Sequence, residues 1–272
     1  TKEGAKAYQV AVNLNGNWQP AKTGVLPEAV NEALSGSVAW DGKVGIDLPY
    51  HAGATYNIEL NGDLKNVSSH LPSPLAKPAG EPLAVNVKVD GNLNSFELTG
   101  QAGADNHFNS RWLLGQKLTL DRAIWAADSK TLPPLPEQSG VELNMPPMNG
   151  AEWLALFQKG AAESVGGAAS FPQHITLRTP MLSLGNQQWN NLSIVSQPTA
   201  NGTLVEAQGR EINATLAMRN NAPWLANIKY LYYNPSVAKT RGDSTPSSPF
   251  PTTERINFRG WPDAQIRCTE CW

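Results

Sequence analysis

The sequence predicts a mostly β protein: a long, curved antiparallel meander forming an open groove, a half-pipe in section, with two short helices. Three observations carry that prediction. Apolar and polar residues alternate with a period of two over most of the 272 residues. Helical spacing occurs only twice and briefly, near 26–35 and 150–160. Few strand segments are apolar on both faces, so one continuous sheet with a polar outer surface fits the pattern more economically than a sandwich.

Taken in order, Tyr8, Val10, Val12 and Leu14 share one face of a first strand, which Asn15-Gly16 is expected to end in a turn. The stretch LPEAVNEALSG reads as a helix, with Pro27 suited to its first turn, Leu26, Val30 and Leu34 on one face, and Gly36 ending it. Val38, Trp40, Val44, Ile46 and Leu48 alternate around Asp41-Gly42, a hairpin or bulge signal. Tyr56, Ile58 and Leu60 follow, then Val85, Val87 and Val89, then Phe96 and Leu98. Phe108 and Trp112 come next, with Leu118, Leu120 and Ile124 in the same phase, and then Val141, Leu143 and Met145.

The stretch NGAEWLALFQKG is the second helix. Asn149 and Glu152 form a capping box, Trp153, Leu154 and Phe157 make its apolar face, and Gly160 stops it. Alternation resumes at Ile175 and Leu177, Leu182 and Leu184, Leu192 and Ile194, continues through Ile212, Ala214, Leu216 and Met218, and ends at Ile228, Tyr230 and Tyr232. These make about fourteen strands, which at ~4.8 Å between neighbours would extend roughly 65 Å. The helices, single and short, suit the closing of one end or rim of such a sheet.

Two linkers punctuate the chain. Pro72, Pro74, Pro78 and Pro82 keep 70–82 out of any central strand. Residues 236–254 are rich in Ser, Thr and Pro and read as a flexible loop. The expected division is a groove segment over 1–235, that loop, and the start of a further groove segment, cut short, over 255–272. Residue 1 is Thr and the chain ends on Cys271-Trp272, so it reads as a piece of a longer protein.

Lys and Arg total 21 against 23 Asp and Glu, a net charge of −2, with no block of either sign. Nucleic-acid binding, which needs a basic stripe for phosphates, is therefore not expected. No apolar run approaches the roughly 20 residues of a membrane span. His51, His70, His107 and His174 are scattered without metal-ligand spacing and are expected at the surface. No G-x-S-x-G elbow and no readable carboxylate pair is present, so neither catalytic residues, a metal nor a cofactor is expected. Nine tryptophans leave a rival reading, a carbohydrate-binding module stacking sugars on Trp189, Trp224 or Trp261. Trp40, Trp112 and Trp153 instead fall in phase with apolar neighbours. Cys268 and Cys271 lack the further ligands zinc needs and the βαβ context of a thioredoxin-like pair. A local disulfide between them stays open beside a plain strand, and it would require a turn or bulge there, because Ile266 and Cys268 alternate in phase.

The segments NGDLKNVSSHLPSPLAKPAGEPLAV, GVELNMPPMNGAEWLALF and GREINATLAMRNNAPWLANIKYLYYNP are long and idiosyncratic. They resemble the AsmA-like group of bacterial envelope proteins, which includes TamB, and the similarity covers essentially the whole chain. The resemblance implies the periplasmic region of an inner-membrane-anchored protein of a Gram-negative bacterium. Its implied work is bridge-like movement of phospholipid along a hydrophobic β-groove, in support of the outer-membrane barrier. The implied partners are phospholipids, the inner membrane through a segment outside this chain, and the outer membrane or an envelope protein at the far end. TamB adds a further alternative, an assembly factor for outer-membrane proteins.

What carries over residue by residue is a lining. In the first half it is Val38, Trp40, Val44, Ile46, Leu48, Ile58, Leu60, Val85, Val87, Val89, Phe96 and Leu98. In the second it is Trp112, Leu118, Leu120, Val141, Leu143, Leu182, Leu184, Leu192, Ile194 and Leu216. At ~0.8 kcal/mol per CH₂, two acyl chains stripped into water would cost tens of kcal/mol, so passage through an aqueous compartment needs such a shield.

Overall fold

Two-residue alternation makes every strand two-faced, and the fold is decided by where the apolar face goes. The computed structural model describes residues 8–22, 28–161, 169–235 and 265–271, with the backbone alone for 157–161, 169 and 265–271. The first strands are β1 (Tyr8–Trp18), β2 (Leu34–Ser35), β3 (Val38–Leu48), β4 (Thr55–Asp63), β5 (Ser68–Ser69) and β6 (Ala84–Asn92). Next come β7 (Ser95–Ala102), β8 (Asn106–Leu114), β9 (Leu118–Ala126), β10 (Gly140–Asn144), β11 (Met148–Asn149) and β12 (Ala169–Ser170). The last are β13 (Ile175–Leu184), β14 (Gln187–Thr199), β15 (Gly202–Gln208), β16 (Ile212–Arg219), β17 (Leu225–Leu231) and β18 (Gln265–Cys271). The helices are α1 (Glu28–Asn31) and α2 (Gly150–Ala161).

Sixteen of these strands form one sheet; fourteen follow one another in the order β1-β3-β4-β6-β7-β8-β9-β10-β13-β14-β15-β16-β17-β18, and β11 and β12 pair with β13 and β9 beside that path. β1 and β18 lie at opposite ends of that order, so the sheet is open and does not close into a barrel. The meander is not antiparallel throughout: β10 runs parallel to both β9 and β13, and β18 runs parallel to β17. The two parallel pairings of β10 go with connections long enough to recross the sheet, residues 127–139 before β10 and the α2 passage before β13. Around β10 three segments share one strand position: β12 pairs with β9 at Leu118, β10 pairs from Arg122 onward, and β11 pairs with β13 at Leu182.

Asn15-Gly16 and Asp41-Gly42, expected as turn signals, lie within continuous ladders, Asn15 opposite Asp41 and Gly16 opposite Trp40. Neither glycine has the positive φ that a two-residue Asn-Gly turn demands. The first helix is shorter than expected. It is one turn over Glu28–Asn31, after which Leu34 enters β2 and pairs with Ser69; Leu26 and Pro27 lie outside the described residues. The second helix matches its expected span. Asn149 caps it: Ala151 N donates to Asn149 Oδ1 (3.1 Å), and Asn149 Nδ2 donates to Glu152 Oε1 (2.9 Å).

A sheet with one bare face has no single core, and among the described residues no large side chain is less than 2 % exposed. Apolar burial concentrates in two places. Ala29, Val38, Val67 and Leu71 are buried around α1 and the start of β3. Ala127, Met145 and Met148 form a cluster packed by Trp125, Leu143, Trp153, Leu177 and Leu182, beneath α2. The two helices touch, and Trp153 Nε1 donates to the carbonyl of Ser73 (3.0 Å), so helices and the 64–83 segment form one cap.

Candidate functional site: an apolar track across fourteen strands

Cross-strand register shows which side chains share a face. Leu14 lies opposite Gly42, then Leu60, Val87, Gly100, Phe108 and Trp125 on successive strands. The row continues through Leu143, Leu177, Ile194, Ala207, Ala214 and Ile228 to Cys268 on β18. From β1 to β17 it crosses each strand of that order without a charged or amide side chain. The parallel row through Val12, Val44, Ile58, Val89 and Leu98 ends at Leu216, Ala226 and Ile266, and only Ser110 and Ser196 interrupt it. Ser110 is satisfied locally: it donates to the Leu98 carbonyl (3.2 Å) and accepts from Trp112 Nε1 (3.0 Å).

One residue over, on the opposite face, the row through Asn13, Lys43, Glu59, Lys88, Thr99 and Asn109 is polar. That face carries a polar cavity of about 250 Å³ beside Glu137, Glu142 and His174; there Glu142 is already paired with Arg178 (3.1 Å). On the apolar face a cavity of about 230 Å³ opens between Trp18, Val38, Trp40, Leu60, Gly62, Val85 and Val87.

The predicted lining divides accordingly. Val44, Ile58, Leu60, Val87, Val89, Leu98, Val141, Leu143, Ile194 and Leu216 stand in the two rows, half-buried. Trp40, Ile46, Val85, Phe96, Trp112 and Leu118 flank them on the same face, also half-buried, and Leu48 and Leu184 are exposed. Val38, Leu120 and Leu192 are buried, so they serve packing more than an open surface.

Two departures from strict alternation matter. Register slips beside Trp112, so that Arg111 faces Arg122 but Trp112 faces Leu120. Asp121 is the extra residue. It moves Ile124, expected in phase with Leu120, to the polar face beside Asn109, and brings Trp125 onto the apolar row. On β13, Leu177 and Leu182 are five apart yet pack on the same cluster. Pro180 interrupts the ladder there, opposite Asn191 with φ 50°. Trp18 also lines the apolar cavity; the expected turn at Asn15-Gly16 had hidden it.

The remaining candidates are elsewhere. His107, expected at the surface, is buried with Nδ1 2.7 Å from the Ser129 carbonyl. Trp189 and Trp224 are half-buried, the Trp189 Nε1 wholly so, and Trp261 lies outside the described residues. Cys268 and Cys271 stand beside Ile228 and Leu231 in β18, their side chains outside the described residues. On β17 Ile228 and Leu231 face Ala214 and Ile212, a three-residue step against a two-residue one, so the neighbouring strand carries a bulge at that level. Glu211 is buried near the same end. Burial opposes its ionisation, but the side-chain and backbone N–H groups of Asn190 (2.8 and 2.6 Å) and the Asn234 amide (3.1 Å) outweigh that and hold its carboxyl below the usual range.

An open sheet with one apolar face over its whole length is the arrangement the AsmA-like resemblance implied. The family model described as YhdP protein matches residues 1–272. The chain belongs to the YhdP family. Membership places it with AsmA-like proteins of the bacterial envelope, and no helix among the described residues is long and apolar enough to cross a membrane. No solved structure matches the chain.

Proposed function

We propose that this chain is a groove segment of a bridge-like lipid-transfer protein. It carries phospholipid acyl chains through the periplasm between inner and outer membrane, and so supports the outer-membrane barrier. The observation that carries this reading is the unbroken apolar row from Leu14 to Cys268. A ligand bound at one point needs a pocket, whereas a row repeated on fourteen strands offers successive positions of nearly equal energy. Acyl chains lie on the apolar face and leave water; headgroups stay at the open side, so no specific polar site is required. In this reading the protein is anchored in the inner membrane by a segment outside this chain, meets the outer membrane or an envelope protein at its far end, and performs no catalytic step.

The test places charge in the row on both sides of the α2 cap, as Val87→Asp with Leu216→Asp in the full-length protein. Burying even one unpaired carboxylate beside an acyl chain costs several kcal/mol, so co-purified phospholipid, extracted and counted by mass spectrometry, should fall about tenfold or more. Circular dichroism should be unchanged, because both positions are only half-buried. Wild-type protein free of phospholipid, or a folded variant that keeps its phospholipid, would sink the proposal.

A further inference from the structure

Aromatic rings standing upright on the apolar face would obstruct it. Two of those on this face, Trp40 and Phe108, are laid down on glycines. Trp40 has Gly16 and Gly62 as its register partners on either side, Phe108 has Gly100, and Gly91 sits between Tyr56 and Phe96. A Cβ built on Gly16 would lie 2.8, 2.9 and 3.0 Å from Cζ2, Cε2 and Nε1 of Trp40. Three near-equal distances to neighbouring ring atoms mean that the indole lies broadside over the glycine. A Cβ on Gly100 would likewise collide with three adjacent atoms of the Phe108 ring. A separate observation points the same way: Trp40 is part of the wall of the 230 Å³ apolar cavity, together with Gly62.

We propose that these glycines set the clearance of the groove, holding Trp40 and Phe108 flat so that hydrocarbon passes over them, and that the cavity walled by Trp40 seats a stretch of acyl chain. The inference rests on the lipid-transfer reading and adds to it the residues that control access. The cavity holds on the order of eight water-sized volumes at ~30 Å³ each, room for part of one chain and not for a headgroup with its hydration. Its lining is apolar apart from Asn61, with Trp18, Val38, Leu60, Val85 and Val87 making most of the wall.

The test uses the full-length protein with vesicles of phosphatidylethanolamine and phosphatidylglycerol containing a phosphatidylethanolamine with a diazirine in one acyl chain. Light-induced labelling of the peptide bearing Val85 and Val87 is measured. Gly16→Val should tip Trp40 into the cavity and lower labelling by about fivefold or more. Gly16→Val with Trp40→Ala, which removes the displaced ring, should return it to within about twofold of wild type. Gly16→Ala, adding the Cβ alone, serves if the valine variant does not fold by circular dichroism. Equal labelling of wild type and a folded Gly16 variant overturns the proposal while leaving lipid transfer standing, as does failure of Trp40→Ala to restore labelling. Wild type that takes no label defeats the lipid reading itself.

Discussion

The same apolar rows run through β1–β7 and through β9–β13, yet their fates differ. At β1, Val10, Val12 and Leu14 are 44, 42 and 44 % exposed, with nothing from the described residues laid over them. Beneath α2, the Ala127–Met145–Met148 cluster is 5 to 7 % exposed and draws in side chains from β9, β10 and β13. Composition does not separate the two regions; tertiary cover does. A sheet of this kind obtains its stability where something crosses the apolar face, and keeps its capacity for hydrocarbon where nothing does. Tight packing and an open lining cannot be maximal at the same strand.

The sharpest way to break this contrast is to truncate one residue in each region. Met148→Ala removes a buried side chain from the cluster and should cost about 2–4 kcal/mol. Val12→Ala, on the apolar row of a strand where that side chain is already open to water, should cost less than about 1 kcal/mol. Denaturant midpoints of the two variants measure the difference. Equal losses would mean that β1–β7 is as fully covered in solution as the α2 region, which removes the space for a lipid.

Much of this was legible from alternation alone. Val12, Val44, Ile58 and Val89 keep phase through uninterrupted ladders, so a period of two placed them on one face. What was not legible was every place where the period is locally broken. Asp121 adds one residue and exchanges Ile124 for Trp125, and no propensity marks a bulge residue in advance. Pro180 and Asn191 allow Leu177 and Leu182 to share a cluster that strict counting forbids. The two Asx-Gly pairs were misleading for a different reason. Glycine after Asn or Asp usually supplies a positive φ, but Gly16 is needed for its missing Cβ, beneath Trp40. Parallel pairing at β10 depends on how far the intervening chain travels, which periodicity does not encode.

The β14–β17 end sharpens the comparison, since there a buried polar cluster is added to the apolar rows. Glu211 accepts from Asn190 and Asn234 and so joins β14 to the chain beyond β17. Its folded pKa is depressed, so its contribution is fully present above the ordinary glutamate value of about 4.3 and is lost as pH falls through the lower folded value. Glu211→Gln should cost about 1–3 kcal/mol at pH 7. The gap between wild type and variant should close as the solution is acidified below the folded pKa. A gap independent of pH, read from denaturant midpoints at pH 7 and in acid, would show that the carboxylate's shape matters and its charge does not.

The smallest effect is expected on the outer face. Lys88 and Glu59 face each other on β6 and β4 with 4.0 Å between Nζ and Oε1, their side chains 56 and 46 % exposed. At that separation and exposure, water and salt screen the pair, and Lys88→Ala should change stability by less than about 0.5 kcal/mol. Glu59 is not left bare, because Asn86 Nδ2 also donates to it (3.2 Å). The measurement matters because it probes the other half of the argument: a lining works as a lining only if the opposite face faces water. Were Lys88→Ala to cost several times more, and were that cost to vanish in high salt, the polar face would be engaged electrostatically and not merely solvated. The sheet would then have two functional faces, and the division of labour between a wet face and a greasy one would have to be abandoned for β4–β6 first.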